Sequence, residues 1–173
     1  MIRSLLVAAL AATSVAPALG HVTLETQEAK VGGGYKAVLR VPHGCAGSPT
    51  TSIRVKIPEG VIGVKPMPKP GWTLKLTTGK YPKTYKLFHA ELTEGVTEIG
   101  WSGGQLPDDW YDEFVFTGFL SGDLEAGKTI YFPVVQDCEK GVHRWIEIPA
   151  AGKSRSDYPE PAPEVKLVPA AGR

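Results

Sequence analysis

The stretch Ser52-Ile53-Arg54-Val55-Lys56-Ile57 decides the fold class, because apolar and polar residues alternate through it without interruption. Such a period of two is typical of a β-strand with one buried and one solvated face. Similar stretches, each preceded by a glycine, lie on both sides of it, at residues 35–41, 72–77, 96–101 and 142–148. The pattern therefore predicts a chain built from short strands joined by turns.

One further stretch differs from these, since residues 113–120 are apolar on both faces and predict a central strand. About ten short strands, with turn signals every 8–12 residues and no convincing amphipathic helix, are typical of a β-sandwich. We therefore predict an all-β fold of short antiparallel strands. The 20 glycines and 15 prolines agree with many tight turns.

The first twenty residues have the layout of a secretory signal peptide. Arg3 precedes an apolar run at residues 4–12, and small residues lead to Ala18-Leu19-Gly20. The run is too short to span a bilayer, which takes about 20 residues. We expect cleavage after Gly20 and export to the periplasm, although cleavage after Ala18 is an alternative. No second long apolar run follows, so we expect no transmembrane anchor in the mature chain.

Cleavage after Gly20 leaves His21 as the first residue, with a free α-amine beside its imidazole. The two groups titrate near 7.7–8.0 and near 6.5, so a metal ion displaces their protons easily at neutral pH. Two nitrogens of this type favour copper(II) over other common divalent ions. The alternative is that His21 is an ordinary polar residue at a chain end.

The charge balance argues against nucleic acid as a partner. The chain has 19 Lys and Arg and 18 Asp and Glu, and loss of Arg3 with the signal peptide leaves 18 of each. A nucleic-acid-binding domain normally carries a basic surface. There is also no nucleophile elbow, phosphate loop or zinc-protease motif in the sequence.

Cys45 and Cys138 are the two cysteines of the chain, and an exported protein is expected to join them in a disulfide. The alternative is a tetrahedral zinc or copper(I) site that also uses His43 and His143. We favour the disulfide, with both histidines beside the cysteines and without a metal role. His89 alternates with Phe88 and is predicted to be structural.

The chain is expected to divide into three parts: a signal peptide at 1–20, a copper-binding sandwich at 21–150 and a tail at 151–173. The tail carries Pro159, Pro161, Pro163 and Pro169 among charged residues. Segments of this composition bury little apolar surface, so a disordered tail is predicted.

Four short motifs resemble one known family: His21-Val22-Thr23, Lys69-Pro70-Gly71-Trp72, Asp112-Glu113-Phe114 and Val142-His143-Arg144-Trp145. In this order they are similar to the YcnI-like family, from His21 to about Ile148. The resemblance implies an exported immunoglobulin-like β-sandwich that handles copper. It implies a single-histidine brace, in which His21 binds copper(II) through amine and imidazole, with Glu113 as the carboxylate and Trp145 near the metal.

A weaker argument for Glu113 comes from the residues themselves. Glu113 follows the polar loop 107–112 and begins the most apolar strand, which would hold a carboxylate rigidly near one end of the sandwich. Two nitrogens and an anionic oxygen form a reasonable tetragonal set for copper(II). The alternative is a solvated acid at a strand end.

The preferred hypothesis is a periplasmic copper(II)-binding protein in copper trafficking or homeostasis, with a copper transporter or another periplasmic copper carrier as partner. A copper-dependent monooxygenase-like enzyme and a metal-free interaction module are the alternatives, since a sandwich fold alone decides no function. We expect no enzyme activity. A site completed by Glu113 lacks the second imidazole that copper(I) prefers, and this handicaps a redox cycle.

Overall fold

A computed structural model describes residues 20–170 of the chain. The predicted signal peptide therefore lies outside the described residues, apart from Gly20. Residues 20–170 form twelve strands: β1 (Thr23–Leu24), β2 (Glu28–Lys30), β3 (Gly34–Val41), β4 (Thr50–Lys56), β5 (Val61–Pro66), β6 (Thr73–Leu87), β7 (Ala90–Leu106), β8 (Asp112–Leu120), β9 (Thr129–Tyr131), β10 (Val134–Cys138), β11 (Val142–Trp145) and β12 (Glu164–Val168). One 3₁₀ turn, Arg155–Asp157, precedes β12.

Two antiparallel sheets pack face to face. The first has the strand order β1-β3-β8-β5 and the second the order β11-β10-β4-β7-β6. A smaller sheet, β2-β12-β9, closes one side. Strands β1 and β11 each lie at the edge of a sheet. The prediction of an all-β sandwich is confirmed.

The core forms where the alternating strands turn their apolar faces toward each other. On β4 and just after it, Ile53, Val55 and Ile57 are buried, whereas Arg54 and Lys56 are exposed. This is the division that the alternation predicts. The central strand β8 lies between β3 and β5, as expected from its apolar character on both faces.

One hairpin is longer than the sequence indicated. Strands β6 and β7 have 15 and 17 residues, so β7 continues to Leu106, beyond the predicted stretch at 96–101. Glycines at 95, 100, 103 and 104 conceal the alternation there. His89 lies in the exposed turn of this hairpin and not on a strand.

The prediction of a disordered tail is wrong. Strand β12 pairs in parallel with β2 and antiparallel with β9, and Ala162, Val165 and Leu167 are buried. The folded domain therefore continues past residue 150, to at least Val168. The prolines and charges of the segment concealed a short alternating strand that buries enough apolar surface to stay ordered.

The predicted disulfide is confirmed, with Cys45 bonded to Cys138 and their Cα atoms 6.0 Å apart. The bond joins the loop after β3 to the end of β10, across 93 residues of sequence. A chain-entropy model gives about 4–5 kcal/mol of stabilisation for a loop of this size, as an upper figure. The alternative metal site with two thiolates is incompatible with this bond.

Within residues 20–170, none of the helical structure has the length and hydropathy needed to cross a bilayer.

Replacement of Leu167 by alanine tests whether β12 belongs to the core. Leu167 is 1% exposed, so the truncation should lower the free energy of unfolding by about 2–5 kcal/mol. Lys166→Ala is the matched control on the same strand. Its ion pair with Glu28 is exposed, and its loss should change stability by no more than about 0.5 kcal/mol. Urea denaturation of both variants would measure this, and equal midpoints would contradict the assigned role of β12.

Candidate metal centre

His21 lies at the edge of the first sheet, two residues before β1. Thr23 pairs with Arg40 of β3, so the same register places His21 opposite Pro42. The fully buried Val22 anchors this end of the chain in the core. The His21 ring lies across the edge against Trp145, with 5.7 Å between the ring centroids.

Trp145 ends β11 and is the centre of a cluster of rings. Besides His21, its indole contacts His143 at 4.9 Å and His43 at 6.5 Å between ring centroids. His43 and His143 are themselves 5.9 Å apart, in an edge-to-face arrangement. Three imidazoles from three separate parts of the chain therefore surround one buried indole.

The His43 ring lies between two carbonyl oxygens. Its Nδ1 is 2.6 Å from the oxygen of Gly44, and its Nε2 is 2.8 Å from the oxygen of Gly20. The second contact joins the loop after β3 directly to the peptide that precedes His21. His43 is thus in hydrogen-bonding contact with the expected cleavage site.

A buried amide holds these groups in place. Gln136 on β10 is fully buried, and its Nε2 donates to the His43 oxygen at 2.7 Å and to Thr50 Oγ1 at 2.8 Å. Its Oε1 accepts a hydrogen bond from Trp145 Nε1 at 2.9 Å. One side chain therefore fixes both the loop that carries His43 and the indole beneath the cluster.

His143 is oriented by Glu160, from the segment before β12. His143 Nδ1 donates to Glu160 Oε1 at 2.6 Å, and the Arg144 backbone N–H donates to Oε2 at 2.9 Å. A carboxylate partner of this type fixes the tautomer and the ring orientation of a histidine. The segment 159–161 that supplies Glu160 was predicted to be disordered, which is why sequence analysis missed it.

The surroundings favour the neutral form of the His21 imidazole. Partial burial lowers the pKa of His21 below its usual value, and the positive charge of Arg155 and the neighbouring His43 lower it further. A neutral imidazole is the form that binds a metal ion.

The strand register separates Glu113 from His21. Glu113 on β8 and Thr23 on β1 both pair with Arg40, so two strand spacings of about 4.8 Å lie between them. His21 is two residues further along, so its Cα is roughly 12 Å from that of Glu113. The Glu113 carboxylate accepts a hydrogen bond from Tyr111. A chelate through the amine holds the ion close to the His21 backbone, so this geometry does not support Glu113 as a shared ligand.

The histidines are arranged differently from the sequence-based expectation. His43 and His143 were placed beside the cysteines without a metal role, whereas their rings lie with His21 around Trp145. Adjacency to Cys45 in sequence was a poor guide, because Cys45 is bonded to Cys138 whereas the His43 ring packs with His143 and Trp145. The contact between His21 and Trp145 is present, and a metal beside them stays a prediction.

Side chains alone do not complete a metal site in the part of the chain that the structure describes. No group of three or more His, Cys, Asp or Glu side chains there is placed to hold one ion. The donor set fits copper(II) only when a backbone nitrogen is included. Cleavage after Gly20 would supply that nitrogen as an α-amine, next to two imidazoles, and this is a set that copper favours.

Comparison with known proteins places the chain in a family. A family model described as "Domain of unknown function (DUF1775)" matches residues 21–167. An uncharacterized protein from Nocardia farcinica, whose crystal structure has an immunoglobulin-like fold, is 27% identical to this chain with a TM-score of 0.60. The match covers 86% of this chain and 98% of the Nocardia chain.

No curated protein matches the chain with significant similarity. The structural neighbour confirms the predicted fold as an immunoglobulin-like β-sandwich. Because the family model covers most of the chain, including Trp145 and the three histidines around it, the family is settled. The chain belongs to the DUF1775 family, the YcnI-like domains.

Proposed function

We propose that this protein is an exported copper(II)-binding protein that acts in copper trafficking or homeostasis. The signal peptide is removed after Gly20, and the mature protein works in the periplasm. His21 binds one copper(II) ion through its α-amine and its imidazole. The resemblance that suggested copper and the composition of the donor set both support this proposal.

The observation that carries the proposal is the position of His21. Its ring is held against Trp145, 5.7 Å between centroids, at the exposed edge of the first sheet. The peptide nitrogen of His21 lies close to His43, since it is bonded to the Gly20 carbonyl carbon whose oxygen contacts His43. The two donors of the amine chelate are therefore in a rigid setting before any metal binds, which reduces the entropy lost on binding.

The location of the site suits exchange of the ion between proteins. A ligand at a chain end and at a sheet edge is within reach of a partner, and the mature chain has no strong net charge to restrict the choice of partner. Copper, when bound, would be accessible to a copper transporter or to another periplasmic copper carrier. We propose these as the partner class.

A copper-dependent monooxygenase-like enzyme is the second candidate, and one observation favours it. The expectation of no activity depended on the lack of a second imidazole, yet His43 and His143 lie beside Trp145 with His21. We retain the carrier as the proposal, because the accessible terminal ligand suits transfer and the sequence offers no further catalytic motif.

Extension of the mature chain by one residue before His21 tests the chelate. An added alanine converts the α-amine into an amide, so copper(II) affinity should fall about 100-fold or more, equivalent to roughly 2.7 kcal/mol. His21→Ala should have a similar effect, while His89→Ala, in an exposed turn, should have none. Competition titration and electron paramagnetic resonance would measure this. Spectra unchanged by extension and by His21→Ala would contradict the site.

Turnover in the presence of a reductant separates the carrier from the enzyme. Copper-loaded protein with ascorbate, peroxide and a polysaccharide should release no more oxidised sugar than free copper does. Mass spectrometry of the soluble products would measure the yield. Sustained release above the free-copper level that disappears in His21→Ala would show that the protein is an enzyme.

A further inference from the structure

We infer that His43 Nε2 is a third nitrogen ligand of the metal, and that removal of residues 1–20 is the event that frees it. The inference rests on the proposed copper function and deepens it. It replaces the carboxylate assigned to Glu113 with an imidazole from the loop after β3. The mature site would then contain one amine and two imidazoles.

Covalent geometry places His43 close to the future amine. His43 Nε2 is 2.8 Å from the Gly20 oxygen. The nitrogen of His21 is bonded to the same carbonyl carbon and lies about 2.2 Å from that oxygen. The two nitrogens are therefore at most about 5 Å apart, close to the roughly 4 Å that separates two opposite ligands at metal–nitrogen distances of about 2.0–2.1 Å.

The hydrogen bonds of His43 assign its two ring nitrogens to different roles. In the uncut chain both nitrogens face carbonyl oxygens, and a neutral imidazole has only one N–H to donate. Removal of Gly20 takes away the acceptor opposite Nε2. Nδ1 keeps its partner in the Gly44 oxygen, so the proton stays on Nδ1 and the lone pair of Nε2 is free for a metal.

The loop holds the His43 ring in this position. Gln136 Nε2 donates a hydrogen bond to the His43 backbone oxygen. Cys45, two residues after His43, is bonded to Cys138. Gly44 cannot be replaced without a shift of the loop, because a Cβ there would clash with the Ser48 carbonyl. The ring is therefore fixed by contacts that do not depend on the residues removed by cleavage.

Two chemical consequences follow from a second imidazole. Copper(I) prefers imidazole to carboxylate, so the mature protein should keep its copper after reduction and not release it. The uncut chain has an amide nitrogen in place of the amine, and the Gly20 carbonyl opposite His43 Nε2. It should therefore bind copper much more weakly, which would confine metal loading to the exported, cleaved protein.

Pulsed electron paramagnetic resonance of the copper(II)-loaded mature chain counts the coordinated imidazoles. The wild-type chain should show two, and H43Q should show one, with copper(II) affinity lowered about 10–100-fold. H89Q is the matched control, because it makes the same change in the exposed turn between β6 and β7, and it should retain two. With excess ascorbate and a copper(I) chelator, wild type should keep its copper longer than H43Q.

The result for Glu113 distinguishes the two ligand sets. E113Q should leave the imidazole count and the copper affinity unchanged. A wild-type count of one imidazole would overturn the inference even if H43Q did not fold. Loss of an imidazole in H143Q and not in H43Q would also overturn it, as would a change of spectrum in E113Q alone.

The failure of this inference can be told apart from the failure of the proposed function. Copper bound through His21 with one imidazole would leave the function intact and remove only the role of His43. A mature wild-type chain that binds no copper at all would overturn both.

Discussion

The fully buried amide of Gln136 is the interaction on which the candidate site depends. It joins the loop after β3 and Thr50 at the start of β4 to Trp145 at the end of β11, which is distant in sequence. A buried amide without partners would cost about 1–3 kcal/mol for each unsatisfied group, so the fold in which all three contacts are made is favoured. The Gln136 amide, a polar group in the core of the sandwich, therefore positions the histidine rings around Trp145.

The architecture explains why the cluster forms at this place. Strands β1 and β11 are the edges of different sheets, and edge residues have neighbours on only one side. The ring of His21, two residues before β1, contacts Trp145 at the end of β11 and so joins the edges of the two sheets. The segment before β12 adds Glu160 from a third direction and fixes His143. The site would be incomplete without any one of these parts of the chain.

The strands could be predicted from the sequence because burial of one face imposes a period of two, as residues 52–57 show. The disulfide could be predicted because the export expected from the sequence makes pairing of two cysteines the default. That β12 is an ordered strand could not be predicted, because Val165 and Leu167 lie among prolines and charges. Their burial depends on the pairing of β12 with β2 and β9. The neighbours of His21 depend on sheet order, which a strand pattern does not contain: Glu113 is two strands away, whereas His43 and His143 are close.

The central claim is that the copper ion is bound where the His21 amine is released, beside His43 and above Trp145. Anomalous scattering at the copper absorption edge, from crystals of the copper-loaded mature chain, tests it most directly. One strong peak is expected within bonding distance of the His21 α-amine, its imidazole and His43 Nε2. A peak at the Glu113 carboxylate without His43, or the absence of any peak at His21, would contradict it.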